Sequence, residues 1–73
     1  MYENQSMTFS IKELHIAIQI EIEQIKMLRL ELVKNELSSL EYIQLVDKIE
    51  SVENSMISKY GLLKTKYQQS EST

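Results

Sequence analysis

His15, Arg29 and the carboxylates of Glu21 and Glu23 are the residues from which this chain could build chemistry. A histidine can act as a general base near neutral pH, and two carboxylates can divide acid and base duties when they converge on one point. His15 has Gln19 one helical turn further on and sits at the margin of an apolar stripe. No nucleophile, metal cluster or glycine-rich phosphate cradle accompanies it. A satisfied or solvent-facing histidine is therefore expected. Glu21 and Glu23, two apart on a helix, point to different faces, so a solvated role is expected for both. Lys59, Lys64 and Lys66 gather near the end of the last helical stretch, where cations complement the helix dipole. Tyr42, Tyr60 and Tyr67 fall along one side of that stretch and read as the rim of a core. Arg29 is the exception. Positions 25, 26, 32 and 33 are Ile, Lys, Leu and Val, so it has no carboxylate at i±3 or i±4. Its guanidinium must snorkel outward, pair across the fold with Glu50 or Asp47, or meet an anionic group on another protein.

The elements that position these groups are constrained by length and composition. A chain of 73 residues is one small domain, and a single core of that size rarely supplies more than about 3–5 kcal/mol. With no cysteine and one histidine, neither disulfides nor a zinc site can add to it. No cofactor is expected, and self-association is the remaining source of burial. The opening MYENQSM carries no basic segment ahead of an apolar run, and no stretch reaches the roughly 18 apolar residues of a membrane span. A cytoplasmic protein is expected. A net charge of −3 without a basic cluster argues against nucleic acid and anionic membranes as partners.

Two helix starts are written in full. Ser10 with Glu13 forms a capping box, and Phe9 ahead of it can staple onto Leu14; Ser38 with Glu41, and Leu37 with Tyr42, repeat the arrangement. There is no proline, and the one glycine is Gly61. These signals predict helix 1 over about residues 11–34 and helix 2 over about 39–60. Gly61 stands as a left-handed cap, with a last turn or a short third segment to about Lys66. Residues 1–9 are expected to be flexible, 10–67 to form the domain, and 68–73 to be a disordered tail.

One stretch tests that reading. LHIAIQIEIEQI, residues 14–25, places apolar residues at every second position from Leu14 to Ile22, as an exposed strand would. A strand here has no second alternating run and no hairpin turn to pair with. At about 100° per residue, Ile11, Leu14, Ile18, Ile22, Ile25, Leu28 and Leu32 share one broad helical face, while Ile16, Ile20 and Met27 share the opposite one. The alternation is two stripes of one helix read linearly. On helix 2, Tyr42, Leu45, Val46, Ile49, Val52, Met56 and Tyr60 form a single stripe. The short connection from Asn35 to Ser38 forces an antiparallel turn. Ile25 should then lie near Ile49, Ile18 near Met56 and Leu14 near Tyr60. The predicted core is Leu14, Ile18, Ile25, Leu28, Leu32, Leu45, Ile49, Val52, Met56 and Tyr60.

The expected fold is all-α, an antiparallel hairpin of two long helices. Two side-by-side helices have a seam but no interior, which favours pairing of hairpins into a four-helix bundle as a homodimer. Ile16, Ile20 and Met27, with Arg29 as an orienting charge, are the candidate oligomer or partner interface.

The stretch IKMLRLEL (residues 25–32), followed by a second helix containing Ser51 and ending in MISKY (residues 56–60), resembles the two-helix sporulation-type aspartyl-phosphate phosphatases of low-GC Gram-positive bacteria. The resemblance implies a hairpin acting on a phosphorylated response regulator, with Arg29 near the phosphoryl group. Ser51 falls at the serine of that family's Ser-Gln-Glu-Leu-Asp signature but is followed by Val52, Glu53, Asn54 and Ser55. Asp47, aligned instead through QLVD, lies too close in sequence to Arg29. The residues themselves point to a non-enzymatic regulator or inhibitor that binds another protein through helix–helix contacts. Phosphatase activity and a structural role in a larger helical assembly are the alternatives. An isoleucine-, lysine-, glutamate- and asparagine-rich vocabulary suggests an AT-rich bacterial or phage genome.

Overall fold

A computed structural model describes residues 9–34 and 36–71 of the chain. Helix α1 runs Ile11–Lys34 and helix α2 runs Ser39–Glu71. Both begin where the capping boxes place them. The Ser10 backbone N–H donates to Glu13 Oε1 at 2.9 Å, and the Glu13 N–H returns to Ser10 Oγ at 3.0 Å. At the second start the Ser38 N–H donates to Glu41 Oε1 at 2.9 Å, and the Glu41 N–H to Ser38 Oγ at 3.2 Å. Each reciprocal pair satisfies two amides that the helix leaves orphaned. The run LHIAIQIEIEQI lies wholly inside α1, and the described residues contain no strand. The two helices pack antiparallel over an elongated body of 53 × 23 × 15 Å.

The far end of α2 departs from the sequence expectation. The helix passes Gly61 and Lys66 and continues to Glu71, so residues 68–71 are helical and the described residues contain no third segment. Gly61 has no positive φ and caps nothing. The reason lies two residues on. Leu63, seven residues after Met56, returns to the seam only if the helix is unbroken, and there it is buried against Leu14 and Ile18. That burial outweighs the roughly 1 kcal/mol by which glycine disfavours a helix interior. Residues 1–8, 35, 72 and 73, including most of the expected flexible start and the last residues of the expected tail, lie outside the described residues.

The core follows the predicted stripes with one substitution. Leu14, Ile18, Ile25, Ile49 and Leu63 are buried, and Ile11, Ile22 and Met56 pack on the Leu14–Ile18–Leu63 cluster. Leu28, Leu32, Leu45 and Val52 are half-buried, as expected of a seam whose flanks face water. Tyr60, expected opposite Leu14, is instead 48% exposed. Leu63 fills that place because the extended helix brings a branched aliphatic side chain to the seam, while Tyr60 stays half exposed on the flank.

Candidate interaction surface

The face of α1 opposite the seam is an uncovered apolar row. Ile16, Ile20, Met27 and Leu30 are 51%, 56%, 66% and 54% exposed. At about 100° per residue they occupy a stripe less than about 90° wide. Three of them are predicted from the pattern. Leu30 is not, although its spacing of three from Met27 and fourteen from Ile16 is the signal that places it there. One polar residue, Glu23, interrupts the row; it accepts a hydrogen bond from Gln19 Nε2 at 3.2 Å and lies 3.6 Å from Lys26 Nζ. The outer face of α2 is different. Leu40, Ile43 and Ile57 are exposed there, but Asp47, Glu50 and Asn54 stand between the last two. Only on α1 are apolar residues continuous enough to form a helix-docking stripe.

The two flanks of the hairpin carry its polar contacts. On one, Arg29 Nη2 donates to Glu53 Oε2 at 3.0 Å, with side chains 65% and 33% exposed. Of the three outcomes open to it the cross-seam pair is the one found, but the partner is Glu53 and not Glu50 or Asp47, which the winding of α2 carries to its outer face. Further along this flank His15 Nε2 lies 3.2 Å from the Tyr67 hydroxyl, and the rings meet edge-on with centroids 6.3 Å apart. Tyr42, Tyr60 and Tyr67 are all about half exposed, as rim residues are. Ser51 and Asp47 are exposed on α2.

The other flank holds a triad that sequence reasoning misassigns. Ser55 Oγ donates to Glu21 Oε2 at 2.6 Å, and Lys59 Nζ donates to the same oxygen at 2.9 Å and to Ser55 Oγ at 2.7 Å. The Glu21 and Lys59 side chains are only 14% and 28% exposed. Glu21 is therefore not a solvated residue. Lys59 does not serve the helix end either, because α2 continues twelve residues beyond it. The signal was present in the spacing: Glu21 follows Ile18 by three and precedes Ile25 by four, and Lys59 stands likewise between Met56 and Leu63, so each edges a buried row. Burial opposes ionisation of Glu21. The hydrogen bonds from Ser55 and Lys59 and the charge of Lys59 outweigh it, holding the carboxyl below its ordinary pKa.

A serine touching a lysine and a carboxylate has the composition of an activated nucleophile, but two features oppose that chemistry. A carboxylate with a lowered pKa is a weak base for the Ser55 proton. Ser55 also lies in the middle of α2, where neighbouring amides are consumed by helical hydrogen bonds and none is left to stabilise an oxyanion. The second oxygen of Glu21 is buried without a hydrogen-bond partner. The triad locks the two helices together.

The grooves beside the seam are open to solvent, among them the one lined by Gln24, Met27, Leu28, Glu31, Lys48 and Val52. Among the described residues, no group of three His, Cys, Asp or Glu side chains could hold a metal ion, and no helix is long and apolar enough to cross a membrane. No family model, curated protein or solved structure matches the chain.

Proposed function

We propose that this hairpin works by contact and not by reaction, as a small regulator or inhibitor acting through helix–helix contacts, and that the outer face of α1 is a surface on which another chain docks, whether a different protein or a second copy. The observation that carries the reading is the row of Ile16, Ile20, Met27 and Leu30, each more than half exposed on a helix whose opposite face is already satisfied. Exposed single apolar residues are ordinary on a protein surface, but a row along about four helical turns, broken only by Glu23, is the surface a second helix covers. Arg29 lies on the flank between this row and the seam, nearer the seam, where it pairs with Glu53. Its exposed guanidinium can exchange Glu53 for an acidic group on the partner and so set orientation more than affinity.

The test replaces Ile20 with a photoreactive benzoylphenylalanine in cells that make the protein, with the same substitution at Asn54 on the outer face of α2 as control. Adducts are expected from position 20 and not from position 54, and Ile16→Glu should suppress them while circular dichroism stays helical. Equal labelling from both positions, or no adduct from position 20, would refute the docking role. Loss of helicity in Ile16→Glu would assign the row to the fold.

A further inference from the structure

Resting on the docking role of this face, we infer that the chain seated on it is a second copy, with the two α1 helices antiparallel about a two-fold axis beside Glu23. The row is close to a palindrome. In order it reads Glu13, Ile16, Ile20, Glu23, Met27, Leu30 and Lys34, spaced alternately by three and four. Reversed end for end about the midpoint between residues 23 and 24, it places Ile20 level with Met27 of the second copy and Ile16 with Leu30, within one residue of register. A two-fold interface requires this self-complementarity, because every contact occurs twice with the roles exchanged.

Charge follows the same symmetry. Glu13 and Lys34 bracket the apolar row at equal distances from its centre, so an antiparallel copy sets each opposite its counterion at both ends. A parallel copy would set Glu13 against Glu13 and Lys34 against Lys34. Near the axis the two Glu23 carboxylates approach each other. Each already has Gln19 at 3.2 Å and Lys26 at 3.6 Å, so the centre holds two acids and two bases with no net charge. The outer face of α2 has no such symmetry, since Leu40 and Ile43 cluster at one end and Ile57 is isolated beyond three polar residues. The need for a partner is equally plain: a seam with five buried apolar side chains among the described residues is thin for a stable domain, and a second copy is always present at the protein's own concentration.

The chain has no cysteine, so single cysteines report geometry without background. Glu23→Cys, treated with a short bifunctional maleimide, should couple efficiently to its own kind. Ile16→Cys and Leu30→Cys should not, because the antiparallel arrangement separates each from its mate by about 20 Å along the axis. A mixture of Ile20→Cys and Met27→Cys should give the mixed species. Light scattering on the unsubstituted chain should give the mass of a dimer, and Ile20→Glu should weaken association by on the order of 100-fold through burial of an uncompensated carboxylate. Efficient self-coupling of Ile16→Cys would show a parallel pair and overturn the inference. A monomer at every concentration would overturn it too, and if benzoylphenylalanine at position 20 then labels a different chain, the docking role survives without it. Absence of any adduct at position 20 removes both.

Discussion

At the open end of the hairpin, Leu14, Ile18 and Leu63 are almost fully enclosed, with Ile11, Ile22 and Met56 packed on them and the Glu21–Ser55–Lys59 triad along one side. Toward the turn, Leu28, Leu32 and Leu45 are half-buried, and Val33 and Leu40 are exposed. The two ends are made of similar residues, yet only one builds a core. Near the connection α1 ends at Lys34 and α2 starts at Ser39, so neither helix runs on past the other to cover its last turn. At the open end α2 overshoots its expected stop and brings Leu63 over the start of α1, so the first turns of α1 are covered by a helix that is still running. Burial in a two-helix seam thus depends on overlap length as well as on side-chain type.

The largest effect should separate the two ends. Leu14→Ala removes a side chain that is 2% exposed and is expected to cost about 2–5 kcal/mol, comparable to the whole stability of so small a domain. Leu45→Ala, half-buried near the turn, should cost less than half as much. Urea unfolding followed by circular dichroism at one fixed protein concentration measures both. Equal losses would mean that the ends are equally packed in solution.

Much of this arrangement is legible in the sequence, because its determinants are local. The capping boxes at Ser10 and Ser38 need only four residues each to be recognised, and they fix the starts of both helices. The two stripes of α1 follow from helical period alone, which is why Ile16, Ile20 and Met27 are placed correctly on its outer face. What fails are statements that require two distant segments at once. Gly61 reads as a stop until Leu63 is known to have Leu14 as a neighbour. Glu21 and Lys59 read as solvated and end-capping residues because 38 positions separate them, and only the finished register brings their side chains to 2.9 Å. Arg29 illustrates the intermediate case: its empty i±3 and i±4 positions show that it has no partner on its own helix and leave a cross-seam carboxylate as one of three outcomes, but the choice of Glu53 over Glu50 or Asp47 depends on the exact phase of α2.

The same contrast between covered and open regions governs the two cross-seam ion pairs. Removing Lys59 as Lys59→Met leaves the largely buried Glu21 carboxylate with Ser55 as its only partner, and should destabilise by about 1–3 kcal/mol. Arg29→Met, on a side chain 65% exposed, should change stability by no more than about 1 kcal/mol. The Glu21 pair also carries a pH signature. A carboxyl whose folded pKa is depressed contributes stability above its unfolded pKa, and this is lost as pH falls through the folded value. The unfolding midpoint should therefore drop on acidification below the ordinary carboxylate range, and Glu21→Gln should flatten part of that drop. A pH dependence unchanged in Glu21→Gln would show that other carboxylates carry it.

The smallest effect has the opposite sign and bears on why the open end is packed at all. Gly61 lies within α2 with an ordinary helical φ, and a Cβ built on it meets nothing within 4 Å. Gly61→Ala therefore adds no clash. It removes the excess backbone freedom that glycine retains in the unfolded chain, and should raise stability by about 0.5–1 kcal/mol. Because the gain comes from holding α2 continuous, it should also tighten Leu63 against Leu14. Hydrogen exchange at the amides of residues 62–66 should slow in Gly61→Ala by more than at 45–49, where the helix is already uninterrupted. Destabilisation by alanine would instead mean that α2 ends at Gly61 in solution in a left-handed conformation, and the packed end of the hairpin would then lack the residue that closes it.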